Sequence, residues 1–263
     1  MKSGLIVYNI DDKEKNQWFI DKCLQELNRD GFSLSYLDED DVLNYIKEHK
    51  VDFVIYRGRD YQFLQQLENK GIRTFNNSLT NKIANDKYET YRMLESMNIP
   101  NIPTFLDLSK VNTFPCIMKS VSGHGGSEVF LINNIAEQRA ILERNPKISF
   151  IYQDFIKNEG DVRLYVLNGE VVAAVKRNNA NDYRNNFSLG GEATKYNAPL
   201  QMKEAAIKIA QTINATHVGI DFLLTKDGYR VIEIEDPVGS RMLYKVSDID
   251  IISLYCRVIR EKI

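Results

Sequence analysis

The sequence predicts a mixed fold: an N-terminal α/β part on a doubly wound parallel sheet, followed by a longer α+β part with antiparallel sheets. Over the first 80 residues, short apolar runs alternate strictly with helical patterns, which is typical of a parallel sheet. After Ile102 the apolar period changes to two, which indicates half-buried antiparallel strands. The 263 residues, 43% apolar and 27% charged, have the composition of an ordinary globular protein.

The elements of the first part follow one another with short connections. Apolar runs predict strands at residues 5–8, 32–37, 51–56 and 72–75, and helical spacing predicts helices at 13–27, 41–48 and 61–69. The run Asn76, Asn77 and Ser78 indicates a linker.

The second part begins with a helix at Asp86, where Glu89 completes a capping-box pattern, and this helix ends before Pro100. The dipeptide Asn168-Gly169 predicts a tight hairpin between two strands. Further patterns predict strands at 116–119, 129–132, 150–155, 162–167 and 171–175, a helix at 202–213, two more strands and a C-terminal helix. We divide the chain into domains at 1–80, 81–153 and 154–263.

Charge and cysteine usage exclude several classes of protein. Lys and Arg number 34 against 36 Asp and Glu, a net charge of -2, so no overall basic field favours nucleic acid or an acidic membrane as partner. Apolar runs are far shorter than the ~18 residues that span a bilayer. The separated Cys23, Cys116 and Cys256 fit a reducing cytoplasm. We expect a cytoplasmic protein with a small-molecule partner, and a homo-oligomer stays open.

An acidic hairpin is the strongest chemical feature. Residues 218–225 and 229–235 are predicted strands, joined by a three-residue loop that ends in Gly228. This register sets Thr225 opposite Tyr229, Leu223 opposite Val231, Asp221 opposite Glu233, and Glu235 opposite Gly219, with Ile220, Phe222, Ile232 and Ile234 on the other face.

Three carboxylates therefore crowd one face of this hairpin. Opposed like charges destabilise a hairpin, so a positive group is required there, and clustered hard oxygen ligands suit Mg²⁺. Removing one of these charges should be neutral or stabilising in the metal-free protein. A solvated polar face is the alternative interpretation.

Two further groups of residues point to phosphate binding. The segment Ser122-Gly123-His124-Gly125-Gly126-Ser127 lies between two apolar strands, one of which ends at Lys119, and could close over phosphates with backbone N–H groups or be a simple flexible hairpin. Cationic residues also converge in the runs Asp161-Val162-Arg163, Lys176-Arg177 and Asp182-Tyr183-Arg184-Asn185-Asn186. Together they suit a polyphosphate with Mg²⁺, whereas each run alone could be a solvated charged face.

In this order the motifs resemble those of ATP-grasp enzymes, most of all the RimK-type carboxylate–amine ligases, which add glutamate or a similar amino acid. The resemblance covers nearly the whole chain and implies a pre-ATP-grasp domain at 1–80, a central subdomain with the glycine-rich flap at 81–153, and a C-terminal subdomain with the metal site at 154–263. It implies ATP and two Mg²⁺ ions, with Mn²⁺ as a substitute. The carried-over motifs are Asp86-Lys87, Ile117-Met118-Lys119, the flap, Gln153 to Ile156, Asp161-Val162-Arg163, the 182–186 run, Gly219-Ile220-Asp221 and Glu233-Ile234-Glu235.

The resemblance also implies a role for each matched residue. Phosphates would contact Lys87 and Lys119 and the flap residues Gly123, Gly125, Gly126 and Ser127. Adenine would be read by the hinge Gln153, Asp154, Phe155 and Ile156, and ribose by Asp161. Arg163, Arg177, Arg184 and Asn186 would lie near the γ-phosphate and an acyl phosphate, and Asp221, Glu233 and Glu235 would bind metal.

One departure from the family pattern concerns the metal motif. The usual Glu-x-Asn is here Glu233-Ile234-Glu235, and Asp236-Pro237-Val238-Gly239 follows in place of Ala-Ser-Pro-Gly. The extra carboxylate should strengthen metal binding. The substrates stay open among glutamate ligation, D-alanine-type ligation and tailoring of a peptide natural product, and a nucleotide-binding pseudoenzyme is the competing class.

Overall fold

A computed structural model describes residues 1–29, 31–111, 113–179 and 192–263, which form three β-sheets with helices packed on them. The first sheet is parallel and has the order β2-β1-β3-β4. Its strands are β1 (Lys2–Tyr8), β2 (Phe32–Asp38), β3 (Phe53–Tyr56) and β4 (Arg73–Phe75), connected by helices α1 (Ile10–Leu27), α2 (Glu39–Glu48) and α3 (Tyr61–Glu68).

Helices cover both faces of this first sheet, as predicted for a doubly wound arrangement. Because side chains alternate along a strand, Ile6 and Tyr8 of β1 pack in one core with α1, whereas Leu5 and Val7 pack in another with α2 and α3. The carboxyl ends of β1 and β3 therefore open at one edge, where loops can present polar side chains.

The predicted linker after β4 is wrong in part, because Ser78 begins helix α4 (Ser78–Ala84). The Asn77 side chain accepts a hydrogen bond from the Thr80 backbone N–H, so this asparagine caps a helix rather than forming part of a turn. Helix α5 (Lys87–Ser96) begins as predicted, with the Asp86 carboxylate accepting from the backbone N–H groups of Tyr88 and Glu89.

The second sheet is antiparallel, with the order β5-β8-β6-β7. Its strands are β5 (Thr104–Phe105), β6 (Cys116–Ser120), β7 (Val129–Ile132) and β8 (Phe150–Asp154). Helix α6 (Ile135–Arg144), which the sequence analysis missed, packs on the apolar face that Cys116, Met118 and Ile132 form.

The third sheet is also antiparallel, with the order β11-β10-β9-β12-β13. Its strands are β9 (Asp161–Leu167), β10 (Glu170–Asn178), β11 (Glu192–Lys195), β12 (His217–Thr225) and β13 (Gly228–Glu235). The Asn168-Gly169 turn is confirmed, and both residues have positive φ, at 50° and 81°. Helix α7 (Leu200–Thr212) covers the face that carries Val162, Leu164 and Val166 of β9.

The opposite face of the third sheet joins the first sheet in one core. Helices α8 (Arg241–Val246) and α9 (Ile251–Lys262) supply this core, in which Tyr165 and Ile6 both lie. The division of the chain at residues 80 and 153 stays a prediction, since this core draws on both ends of the chain. Within the described residues, no helix has the length and apolar character that crossing a membrane requires.

Candidate active site

The acidic hairpin has the carboxylate register that the sequence predicts, but its turn and its strand pairing differ from the prediction. Asp221 lies opposite Glu233, and Glu235 lies opposite Gly219. The turn, however, has two residues and pairs Thr225 with Gly228, and a β-bulge follows next to Asp221. The predicted pairs Thr225–Tyr229 and Leu223–Val231 are therefore wrong, because Tyr229 pairs with Leu224 and Val231 with Phe222.

The bulge also redirects one apolar side chain. Ile232 is the extra residue of β13, and it lines a cleft together with Leu223 and Glu233. The prediction that Ile232 shares the core-facing side with Ile234 is wrong, since only Ile234 of the two lies in the core against α7. The irregular strand thus places an apolar wall beside a carboxylate.

The three carboxylates form a cluster that suits a hard metal ion. One oxygen from each of Asp221, Glu233 and Glu235 lies within 4.8 Å of the others. Carboxylate oxygens are the ligands that Mg²⁺ takes in proteins, usually with waters and substrate phosphates completing the shell. The donor set therefore fits Mg²⁺.

Two arginines pair with this cluster. Arg163 donates from Nε and Nη2 to the two Asp221 oxygens at 2.7 Å each, and from Nη2 to Glu235 Oε1 at 2.6 Å. Arg177 donates from Nε to Asp161 Oδ1 at 2.5 Å and from Nη2 to Asp221 Oδ2 at 2.7 Å. The positive groups that the sequence argument required are thus arginines, and in the metal-free protein the carboxylates do not face each other uncompensated.

The same contacts set the protonation states of the buried acids. Burial alone would raise the pKa of Asp221, but Arg163 and Arg177 hold that pKa at about 2. Burial raises the pKa of Asp161 to about 6 against the opposing effect of Arg177, and burial also raises the pKa of Glu235 against that of Arg163. Asp221 is therefore ionised near neutral pH.

Gly219 makes room for this arrangement. A Cβ atom at Gly219 would lie 2.9 Å from Val238 Cγ2 and 3.1 Å from Arg163 Cδ, closer than side chains normally approach. The missing side chain lets Arg163 cross the strand from β9 and reach both Asp221 and Glu235.

A first cleft, with about 860 Å³ of empty space, lies between the second and third sheets. Of the predicted nucleotide-binding residues, its walls include Lys87, Lys119, Gly123, Gly126, Gln153, Asp154, Phe155, Ile156 and Asp161. Gly125 lines a second cleft instead, and the Ser127 hydroxyl, which lines neither, donates to the His124 carbonyl. The apolar residues Ile102, Ile117, Val129, Leu223 and Ile232 complete the walls and fit a purine ring, although the sequence analysis did not assign them.

Two lysines bring positive charge to this cleft. Lys87 Nζ hydrogen-bonds to the Gly123 carbonyl and lies 3.4 Å from Glu233 Oε1, so it links the flap to the acidic hairpin. Lys119 lies one residue before the end of β6, on the same face as Ile117, and its desolvation lowers the pKa of its ammonium to about 8. Strand periodicity from Lys119 could have identified Ile117 in advance.

A second cleft, with about 1210 Å³ of empty space, lies between the first and third sheets. Its cationic lining is made of Lys15, Arg57, Arg59, Arg163, Arg177 and Arg241, against Asp12 and Glu235. Among the described residues, His124 of the flap is the one that lines both clefts. The sequence analysis missed Arg57 and Arg59, although they directly follow a parallel strand, where ligands commonly bind.

Comparison with known proteins decides the family. A family model described as RimK-like ATP-grasp domain matches residues 80–259. The chain belongs to this family. It is an ATP-dependent carboxylate–amine ligase with an ATP-grasp fold.

Relatives cover the whole chain or its larger part. The protein named uncharacterized protein MG011 of Mycoplasma genitalium is 32% identical over 272 residues, covering 99% of this chain and 93% of that protein. A probable alpha-L-glutamate ligase of Haemophilus influenzae is 30% identical over 201 residues, covering 72% of this chain and 67% of that protein. The D-alanine–D-alanine ligase from Bacillus anthracis complexed with ATP shares the fold, with a TM-score of 0.76 at 16% identity, and the match covers 100% of this chain and 99% of that one.

The departure of this RimK-like ligase from its family pattern now has a structural context. Glu235 stands where the family usually has Asn, and its added charge is paired with Arg163 at 2.6 Å. Two predicted catalytic residues, Arg184 and Asn186, lie outside the described residues.

Proposed function

We propose that this RimK-like ligase uses ATP and Mg²⁺ to activate a substrate carboxylate as an acyl phosphate, which the amine of an acidic amino acid then attacks. The observation that carries this proposal is the junction of the two clefts: the carboxylate–arginine cluster and the flap lie where a nucleotide cleft meets a cationic cleft. A site with this arrangement brings ATP phosphates and an anionic substrate together.

The nucleotide occupies the first cleft. Its base packs between the apolar walls at Ile117 and Ile232, beside the 153–156 hinge, and Asp161 lies at the ribose. Lys87 and Lys119 hold the phosphates, for which Lys87 exchanges its bond to the Gly123 carbonyl. The flap covers the phosphates and keeps water away from the reactive acyl phosphate.

Asp221, Glu233 and Glu235 hold the magnesium, which supplies Lewis-acid stabilisation of charge on the phosphate oxygens when it is bound. The number of ions, two in our proposal, follows from the resemblance. Arg163 and Arg177 each keep Nη1 without a partner among the described residues while their other nitrogens hold the acidic cluster. These two free donors are available to anionic oxygens in the second cleft.

The chemistry is an amide-forming transfer in two steps. A substrate carboxylate oxygen bonds to the γ-phosphorus of ATP and ADP leaves. The amine nitrogen then bonds to the acyl carbon, phosphate leaves, and the amine releases a proton. The arginine donors stabilise the negative charge that develops on oxygen in both steps.

An acidic amino acid fits the second cleft by charge, because six cationic side chains line it against two carboxylates in its described walls. The Haemophilus influenzae relative is named a probable alpha-L-glutamate ligase, which agrees with this. The three buried free cysteines support a reducing, cytoplasmic location.

The test is a screen of purified protein with ATP, Mg²⁺, L-glutamate and a panel of carboxylate acceptors. ADP release and product mass are measured together. We expect a product one glutamyl residue heavier than its acceptor, abolished by Lys119→Ala and kept in the exposed variant Glu143→Gln. Tight ATP binding without ADP release for any pair would instead favour a nucleotide-binding pseudoenzyme, and a product without glutamate would favour D-alanine-type or peptide-tailoring ligation.

A further inference from the structure

The second cleft contains a buried arginine that is fixed in place. Arg57 is 8% exposed; its Nε donates to the Tyr8 hydroxyl at 3.2 Å and its Nη2 to the Val238 carbonyl at 2.8 Å. Its guanidinium also lies 4.3 Å from the centre of the Phe19 ring. These contacts hold the guanidinium at the carboxyl end of β3, on the wall of the cleft.

This guanidinium lacks the carboxylate that such a group normally has. No Asp or Glu oxygen of the described residues lies within 4.0 Å of Arg57, in contrast to Arg163 and Arg177. The buried Asp236 acts on Arg57 through space, but its oxygens accept from Asn76 and Asn81. Arg57 Nη1 has no hydrogen-bond partner among the described residues. Because Nη1 keeps its N–H donors on an arginine that lines a cationic cleft, we expect an anion to bind there.

A second unsatisfied group lies on the same wall. Ser240 is 4% exposed, and its Oγ is buried without a hydrogen-bond partner in the described structure. Ser240 lies two residues after Val238, whose carbonyl accepts from Arg57. The carbonyl of the intervening Gly239 accepts from the Tyr165 hydroxyl at 3.1 Å. Both sides of this short segment are therefore fixed, and Ser240 is one of the residues that line the cleft.

We infer that Arg57 and Ser240 form a subsite for one carboxylate of the acidic amino acid that supplies the amine. A guanidinium N–H and a hydroxyl are two donors, which is what the two oxygens of a carboxylate accept. The carboxylate that is phosphorylated belongs to the other substrate and lies beside Arg163 and Arg177, at the acidic cluster. This inference rests on the proposed function, and it explains how an amino acid with two carboxylates is held in one orientation.

The test measures binding rather than turnover. Isothermal titration of the full-length protein, with Mg²⁺ and a non-hydrolysable ATP analogue, compares L-glutamate with its two mono-amides, L-glutamine and L-isoglutamine. In the wild type we expect one of the amides to bind about tenfold or more weakly than L-glutamate, which corresponds to about 1.4 kcal/mol.

Ser240→Ala is the decisive variant, because its removed hydroxyl makes no hydrogen bond in the described structure. We expect an unchanged or higher melting temperature together with a loss of about three- to tenfold in L-glutamate affinity. Arg57→Lys keeps the positive charge but not the paired N–H donors of the guanidinium. This variant should lose more affinity for L-glutamate and much of the discrimination between acid and amide. Arg144→Gln, an exposed arginine on α6, is the matched control and should bind like the wild type.

The outcomes separate this inference from the function on which it rests. Wild-type protein that binds L-glutamate no better than both amides, or variants that bind it like the wild type, would overturn the subsite, even where amide product forms normally. Glutamate binding that depends on Ser240 and Arg57 without any ligated product would uphold the subsite and overturn the proposed reaction.

Discussion

We expect Lys119 to couple its own protonation to the binding of nucleotide. Desolvation lowers the pKa of this ammonium to about 8, Glu233 opposes that shift, and Lys87 adds to it. In the free protein, Lys119 therefore loses its proton as the pH rises above about 8. Bound phosphates favour the charged form and should return its pKa towards 10.5, so binding takes up protons in this window.

We predict that nucleotide affinity falls as the pH rises from about 8 to 10.5, by at most about tenfold per pH unit. Titration calorimetry at pH 8.5 in two buffers of different ionisation enthalpy should show net proton uptake by the wild type. Lys119→Arg stays charged throughout and should show none, whereas the exposed Lys147→Arg should behave like the wild type. Equal heats for the wild type in both buffers would contradict the assignment.

The two glutamates of the metal motif differ in the contacts that their carboxylate oxygens make with cationic side chains. Glu235 accepts from Arg163 at 2.6 Å, whereas Glu233 Oε1 lies 3.4 Å from Lys87 Nζ. We therefore expect Glu233→Gln to raise the Mg²⁺ concentration for half-maximal activity by more than about tenfold, and Glu235→Gln by less. Activity measured against Mg²⁺, with Glu143→Gln as the exposed control, tests this order.

The effect of Glu235→Gln on stability without metal depends on arginine pairing as well as on the repulsion between carboxylates that the sequence suggests. Because Arg163 already pairs with Asp221 and Glu235, part of this repulsion is compensated before the substitution. The Gln carbonyl can still accept from Arg163, so we expect a melting temperature in EDTA close to that of the wild type. A large rise in that temperature would show that uncompensated carboxylate charge dominates after all.

At the scale of elements, the bulge in β13 separates two isoleucines that simple alternation places on one face. Ile232→Ala should weaken ATP binding by about five- to thirtyfold, since it removes apolar contact worth about 1–2 kcal/mol, with little change in stability. Ile234→Ala should instead cost about 2–5 kcal/mol of unfolding free energy and leave ATP affinity unchanged in the folded protein. Calorimetry and urea unfolding of both variants measure this exchange of roles, and equal effects on ATP affinity would refute it.

The sequence predicts well those elements whose signals are local. Strand β7 has the predicted bounds, and the turn at Asn168-Gly169 depends on two residues only. Asp86 predicts the start of α5 because its side chain caps the helix directly. Helix α6 was missed because none of its residues is fully buried, so it has no strong apolar stripe.

The rest depends on contacts between distant parts of the chain. Arg163 can pair with Asp221 only because β9 lies next to β12, and no local sequence pattern predicts that neighbourhood. Arg57 becomes a cleft residue only when the first sheet packs beside residues 236–240. Site residues with a motif could thus be predicted, whereas residues placed by packing could not.

At the scale of the whole molecule, the C-terminal helix α9 belongs to the core of the N-terminal sheet. Ile251, Tyr255 and Ile259 are buried in the same core as Ile6, and the Tyr255 hydroxyl donates to the Phe75 carbonyl at 3.3 Å. Each such side chain stabilises the fold by about 1.5–3 kcal/mol, against a total stability of about 5–15 kcal/mol for a typical domain. The first 80 residues should therefore not fold independently of the C-terminus.

The single tryptophan provides the measurement. Trp18 lies in α1 and packs edge-on against Tyr244 of α8, with ring centroids 4.9 Å apart, so its fluorescence reports on the N-terminal part and its junction. We expect urea unfolding followed by Trp18 fluorescence and by far-UV circular dichroism to coincide. Ile259→Ala should lower the free energy of unfolding by about 2–5 kcal/mol for both signals, and the exposed Arg257→Ala should shift neither. A shared core must unfold as one unit. A fluorescence transition that differs in midpoint from the dichroism transition, and that Ile259→Ala does not shift, would show instead that the N-terminal sheet is an independent unit.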